Sequence, residues 1–292
     1  MSVRNNEERL GAAQMHVDGP VNNNPNASQN QDPLNFIVPT MFVDLPSRGQ
    51  FYPSGHPLHM EDSIEIRFMT AKDEDILTSP SLIKKGVVLD RLLKNLILNP
   101  AIQLDHMLLG DKNAILIEAR ISGYGPYYVA KITCANCDSE REQEFDLEEC
   151  KQVHNGFEEG QEGPVLLNSG NFLVKLPQTG VECEFRLLCG HDEKILVKST
   201  MQKSNKKTVK KEQNILTQQL NLLMVSLNGK QDPQMISYFS EKMPIRDARA
   251  LRKYYEEVNP TMNLVASYEC EECEHEEEVE VPLSIGFFWP KQ

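Results

Sequence analysis

"EIRFMTAKDEDILTS", residues 65–79, and "EFRLLCGHDEKILVKS", residues 184–199, align position by position once one residue is inserted toward the end of the second. Residues 63–69, "SIEIRFM", alternate apolar and polar side chains, as a half-buried strand does. Thr70 and Asp73, three places apart, then form the pattern that opens a helix. One match of this kind arises easily by chance. Three more follow in the same order. "LLKNLILN" (92–99) resembles "LNLLMVSLN" (220–228), and "KNAILIEARISGY" (112–124) sits where "DARALRKYYEEVN" (247–259) sits. Each series then closes as strand, CxxC, strand. The order predicts an α+β fold made by tandem duplication of a unit with short helices and a terminal CxxC β-hairpin, with copies near 62–149 and 181–283. The chain divides accordingly into a flexible polar arm (1–40), a first repeat (41–149), a linker (150–171) and a second repeat (172–292).

The arm contains "DGPVNNNPNASQNQDP", which has no hydrophobic periodicity and cannot bury enough apolar surface to offset the entropy of ordering. "FIVPTMFVDLP" (36–46) is its apolar end, the part suited to docking. "LPSRGQFYPSGHP" (45–57) is punctuated by proline and glycine and reads as a loop. A short helix over "AKDEDILTS" ends at Pro80, and a second, with Leu89, Leu92, Leu93, Leu96 and Ile97 on one face, ends at Pro100. "LDHMLLGDKNAILIEARISGYG" continues as short helices closed by glycines. In the second half, strands flank a turn at Gln178, Thr179 and Gly180, and "CGHDEKILVKS" is a short helix. "NILTQQLNLLMVSLNG" is an amphipathic helix stopped by Gly229, and residues 232–260 are helical with breaks at Pro244 and Pro260.

The CxxC pairs, Cys134 with Cys137 and Cys270 with Cys273, are separated by more than 130 residues. Within the repeat they occupy the same place, so the separation is the repeat length. A CxxC turn directs two thiolates to one side, which is half a tetrahedral zinc site. Two copies packed about a pseudo-twofold axis complete a closed four-cysteine site holding one zinc per chain, with no vacant position for a catalytic water. Iron satisfies the same sulfur donors. Two other readings remain: redox chemistry, although a redox CxxC opens a helix and neither pair here precedes one, and cysteine pairs without metal. His275 lies close enough to replace a ligand, but a solvated histidine is common at such a place. Cys150, Cys183 and Cys189 have no matching spacing and read as small apolar residues. His56 and His59 lack a nearby acidic or cysteine partner and do not read as ligands.

Composition narrows the function. With 40% hydrophobic and 25% charged residues, the chain can build a core of ordinary size. A net charge of -13 excludes a broad basic face for nucleic acid. The opening "MSVRNNEERLGAAQ" has no hydrophobic signal region, and the apolar runs fall short of a membrane span. We therefore expect a reducing cytoplasm, in which paired cysteines point to metal before disulfides. GxSxG, the phosphate-binding GK[ST] loop, HExxH and the dinucleotide fingerprint are all missing. The acidic groups Asp73, Glu74, Asp75, Asp192 and Glu193 sit near helix starts, where negative charge is favourable. The lysines of 198–211 read as a solvated loop. These features describe a non-enzymatic interaction protein.

As a set, "LPSRGQFYP" (45–53), "MTAKDEDILTS" (69–79), "IKKGVVLDRLLKNLILNP" (83–100), "GDKNAILIEARISGYG" (110–125) and "VPLSIGFFWP" (281–290) resemble the baseplate hub proteins of T4-type contractile-tailed bacteriophages. The resemblance covers residues 42–150 and, through the CxxC hairpin and the "FFWP" end, reaches into the second half. It implies a structural or assembly protein of the tail baseplate, without enzymatic activity. Such a protein is assembled in the host cytoplasm, is placed in the virion tail, and has other baseplate and hub proteins as partners, in multiple copies. Neither the arm nor the zinc site is implied by it. The competing reading is a zinc-ribbon-type adaptor binding nucleic acid or protein outside the virion. The glutamates of "ECEECEHEEEVE" around the second CxxC repel phosphate and weigh against its nucleic-acid form. The aromatic cluster "GFFWP" (286–290) either folds back on the core or projects toward a partner.

Overall fold

The computed structural model describes residues 38–157, 163–204, 215–281 and 285–288. Almost all of the predicted arm, the lysine-rich stretch from 205 onward and Trp289 lie outside them. The described chain is a mixture of helix and sheet, as the α+β reading requires.

In the first half, β1 (Thr40–Asp44) pairs antiparallel with β2 (Ser63–Arg67), and the alternating Ile64 and Ile66 of β2 are buried. α1 (Ala71–Leu77) starts where Thr70 donates its N–H and its hydroxyl to Asp73 Oδ2, at 2.8 and 2.9 Å. Pro80 closes the first helical run and also opens α2 (Pro80–Lys85), because a proline at the first helical position gives up an N–H that had no partner. α3 (Val88–Leu96) and α4 (Leu109–Tyr124) follow, and then the antiparallel hairpin of β3 (Tyr127–Thr133) and β4 (Glu140–Asp146). A single turn, α5 (Leu147–Cys150), leads into β5 (Lys151–His154).

The second half runs through β6 (Val165–Leu166), β7 (Phe172–Lys175), β8 (Glu182–Phe185), α6 (Gly190–Ser204), α7 (Ile215–Leu223), β9 (Met224–Leu227), α8 (Pro233–Lys242) and α9 (Ile245–Val258). It ends with β10 (Thr261–Glu269), β11 (Glu276–Glu280) and a 3-10 turn at Ile285–Phe288. Strands β6 to β9 form one antiparallel sheet in chain order, and β10 lies between β11 and β5.

Three local arrangements occur once in each half. Arg67 grips Asp73 with two parallel bonds of 2.7 and 2.8 Å, and Arg186 grips Asp192 in the same way. The loops "LPSRG" (45–49) and "LPQTG" (176–180) are each tied to an aspartate in the first turn of a long helix. Asp111 of α4 accepts from the Ser47 N–H and hydroxyl, and Asp247 of α9 accepts from the N–H groups of Gln178 and Thr179 and from the Thr179 hydroxyl. Gly49 and Gly180, which end these loops, share φ 68, a left-handed value that favours glycine. The third arrangement is the cysteine turn described below.

The halves are fused through the middle. Leu109 N–H bonds Leu188 O at 3.2 Å, and Gly190 N–H bonds Met107 O at 2.9 Å. A Cβ on Gly110 would fall 1.8 Å from the carbonyl oxygen of Pro260, and one on Gly190 would fall 2.1 Å from that of Leu104, so no side chain fits at either contact. The buried Lys112 bonds Asp90 at 2.6 Å and also contacts Glu193; Lys194 reaches the same Asp90 at 3.0 Å and contacts Asp105.

Several expectations change. Residues 104–124 are not a series of short helices: after a 3-10 turn they form one continuous helix, α4, with Gly110 inside it for packing reasons. Ile97 leaves α3 and bridges Ile66 of β2. The helix predicted up to Gly229 stops at Leu223, because residues 224–227 take the open edge of β8 as β9. α6 is longer than expected. The linker region is partly built into the sheets, since β5 pairs with β10 from Leu264↔Lys151 to Thr261↔His154. Phe287 and Phe288 are folded back on the core. There the buried Arg120 donates to Phe287 O at 2.6 Å, Gly125 O at 2.7 Å and Tyr127 O at 3.1 Å, linking the 3-10 turn to α4 and β3.

Candidate metal centre

The two cysteine pairs sit at the tips of β3–β4 and β10–β11, and the backbone of each tip is the same. Cys134 N–H bonds Ser139 O at 2.9 Å, and Cys270 N–H bonds His275 O at 2.9 Å. Inside each turn, Asp138 N–H returns to Cys134 O at 3.0 Å, and Glu274 N–H returns to Cys270 O at 2.8 Å. Asp138 and Glu274 take left-handed φ values of 56 and 53, which reverse the chain after the second cysteine. The strand register, Thr133↔Glu140 and Glu269↔Glu276, closes each hairpin immediately below its turn.

These tips meet. The sulfurs of Cys134, Cys137, Cys270 and Cys273 all lie within 4.8 Å of one another. Across the hairpins, Cys134 Sγ is 3.7 Å from Cys273 Sγ, and Cys137 Sγ is 3.7 Å from Cys270 Sγ. A tetrahedron with metal–sulfur bonds of about 2.3 Å has edges of about 3.8 Å, so the spacing fits a four-coordinate metal ion. Among the described residues, these four cysteines are the cluster of metal-ligating side chains placed to hold one. Cys134 and Cys270 are buried, Cys273 is half-buried and Cys137 is exposed, which puts the cluster at the edge of the core.

Protonation shows how the thiols compete. Cys270 is brought down to about 5, chiefly by the Ser139 hydroxyl and then by the backbone at Glu272. The backbone at Cys137 works to lower Cys134 as well, but burial and the Cys137 and Cys270 thiols outweigh it and hold Cys134 up at about 11. Four sulfurs this close cannot all be anionic unless a cation is among them. A bound dication reverses that balance and favours thiolate at every position.

The surroundings reach across the gap between the hairpins. Asn136 Nδ2 donates to Cys273 Sγ at 3.4 Å, and Ser139 Oγ lies 3.4 Å from Cys270 Sγ and 3.2 Å from Cys137 Sγ. Ala135 N–H donates to Glu277 Oε1 at 3.2 Å, and Arg141 pairs with Glu271. Sequence spacing located the four cysteines but not these supports, because nothing in a CxxC pattern tells which neighbour faces the opposite turn.

The other residues weighed from sequence lie elsewhere. His275 contributes its backbone carbonyl and is not part of the sulfur cluster. Cys150 and Cys183 are buried, and burial pushes the Cys183 thiol up to about 12. Cys189 is less apolar than expected: its thiol and its N–H both contact Asp192 Oδ2, at 3.3 and 2.9 Å. The His56 ring stacks on Tyr52 with centroids 4.5 Å apart, and His59 Nδ1 lies 2.7 Å from Tyr52 O, so both serve the loop before β2. No helix among the described residues is long and apolar enough to cross a membrane.

Comparison with known proteins finds no matching family model, no matching curated protein and no matching solved structure.

Proposed function

We propose that Cys134, Cys137, Cys270 and Cys273 bind one structural zinc ion per chain, and that the protein is a non-enzymatic structural or assembly protein of a contractile-tail phage baseplate. The observation that carries the metal reading is the convergence of four sulfurs from two hairpins, with cross-hairpin edges of 3.7 Å. All four ligand positions come from the protein, so zinc serves there as a fixed link between the halves. Because the site exists only when both hairpins are in place, metal binding is coupled to folding. Metal analysis of purified protein should give about one zinc per chain, and Cys270→Ser should release it. One iron per chain would change the metal and keep the site; protein free of metal and indifferent to zinc would remove it.

The baseplate reading rests on the sequence motifs that resemble the hub proteins of contractile tails. The acidic charge and the glutamates beside both cysteine turns agree with a protein-binding role and oppose the alternative adaptor that binds nucleic acid. The partners are then other baseplate and hub proteins, and the place of action is the virion tail after assembly in the host cytoplasm. Mass spectrometry of purified tails and of assembly intermediates tests this. Absence of the chain from both would refute it.

The tandem duplication belongs to the same reading. It is supported by the recurrence, in the same order, of the aspartate-tied LPxxG loop, the Arg–Asp clamp and the cysteine turn. A shared ancestor of both halves predicts that superposing residues 62–149 on 181–283 in a crystal structure overlays the strand, the short helix and the CxxC hairpin; two unrelated chain paths would exclude it.

A further inference from the structure

The two cysteine turns share a backbone but differ in their side chains. The first reads Cys134-Ala135-Asn136-Cys137-Asp138-Ser139 and the second Cys270-Glu271-Glu272-Cys273-Glu274-His275. The polar side chains that reach sulfur belong to the first, whereas within the second turn it is the backbone at Glu272 and Cys273 that serves Cys270. Asn136 N–H donates to Cys134 Sγ within its own turn at 3.4 Å, while the Asn136 amide reaches over to Cys273 Sγ at 3.4 Å. The Ser139 hydroxyl lies between Cys137 of its own turn and Cys270 of the opposite one. The side chain of Glu272, in the place of Asn136, is a carboxylate with no hydrogen to give.

A dication with four thiolates carries a net charge of about -2. Here it would lie among Asp138, Glu271, Glu272, Glu274 and Glu277, which oppose further negative charge. Metal-bound thiolates have no proton to donate, so the serine hydroxyl and the asparagine amide are then the donors of their contacts. Hydrogen bonds to ionised acceptors are stronger than neutral ones, and donors around a metal site hold its ligands in place.

We infer that Asn136 and Ser139 are positioning residues of the metal site, which set how tightly the second cysteine pair is held by donating to its sulfurs from the first hairpin. This rests on the four-cysteine metal reading and extends it to residues that touch no metal. Each residue bridges the hairpins, Asn136 to Cys273 and Ser139 to Cys270. Loss of either weakens the grip on one sulfur of the second pair and leaves all four ligands present.

The test is the rate at which full-length zinc-loaded protein gives up its metal to a chromogenic chelator, for wild type, Asn136→Ala, Asn136→Asp, Ser139→Ala and Ser139→Thr. Second-sphere losses cost about 10–100-fold in metal affinity. We expect Asn136→Ala and Ser139→Ala to release zinc about tenfold faster or more. Asn136→Asp, which keeps the size but replaces a donor by a charge, should be faster still, and Ser139→Thr, which keeps the hydroxyl, should stay near wild type. With cobalt in place of zinc, the sulfur-to-cobalt charge-transfer band should move in the alanine variants and keep its wild-type position in Ser139→Thr. Circular dichroism of the loaded variants separates misfolding from faster release. Wild-type release rates and unshifted cobalt spectra in every variant overturn the inference and leave the metal site intact. A wild-type protein that takes up neither zinc nor cobalt overturns both.

Discussion

At the residue scale, aspartates do much of the positioning. Burial works to raise the pKa of Asp73, but hydrogen bonds from Arg67, Thr70 and Asn95 outweigh it and hold the group at about 2. Asp192 is lowered in the same manner, with Arg186 and the Cys189 N–H overcoming burial. A carboxylate depressed in the folded state stabilises the protein fully above its unfolded value of about 4, and that contribution is lost as pH falls through the folded value. Asp73→Asn should therefore cost at least about 2 kcal/mol at neutral pH, since bonds to a charged group are lost. It should also make the acid limb shallower between pH 4 and pH 2. Urea denaturation across this range checks both, and an unchanged acid slope would count against the clamp. The capping pair Thr70 and Asp73 was readable from its spacing. The clamp was not, because Arg67 looks like any outward-facing residue of a strand until the helix turns Asp73 toward it.

At the scale of elements, the first-turn glycine of α4 carries more weight than its composition implies. A glycine within a helix costs about 1 kcal/mol relative to alanine, which is why the segment read as broken helices. The reason for Gly110 lies more than a hundred residues away, where the chain entering β10 crosses α4 and the Pro260 carbonyl fills the place of a Cβ. Gly110→Ala should push α4 away from β10 and destabilise by about 3 kcal/mol or more, at or above the usual range for overpacking. Gly123, in the same helix, faces the flexible Met69 side chain, with its sulfur 3.1 Å from the Cβ position. Gly123→Ala should be neutral or stabilise by up to about 1 kcal/mol, once Met69 turns aside. Thermal melts of the two variants test the contrast; equal effects would refute it. The same kind of contact hid β9: "LLMVSL" reads as helix by its spacing, and only the free edge of β8 makes a strand of its second part.

At the scale of the molecule, the strands that lead to the cysteines were legible because alternation is a local pattern. The pairing of β5 with β10 was not, because strand partners far apart in sequence leave no mark in either segment alone. The LPxxG loops were in plain view at 45–49 and 176–180, yet they gained meaning only with Asp111 and Asp247 behind them. Lys112 with Glu193, Gly110 with Pro260 and β5 with β10 all cross between the halves, so the halves should unfold together. We expect chelation to lower the melting temperature and to leave one transition. Hydrogen exchange in β2 and β8 should then lose protection at the same denaturant concentration; separate losses would mean independent halves.

The distance between the cysteine pairs also sets a timetable for biosynthesis. Cys137 leaves the ribosome 133 residues before Cys270. At about 5–20 residues per second, that is on the order of ten seconds during which the nascent chain carries an unfinished pair of thiols. His154 of β5 waits nearly as long for its partner strand. On the four-cysteine metal reading, closure of the site must wait until Cys273 has been made, and a chain truncated before residue 270 would leave the ribosome unable to close it.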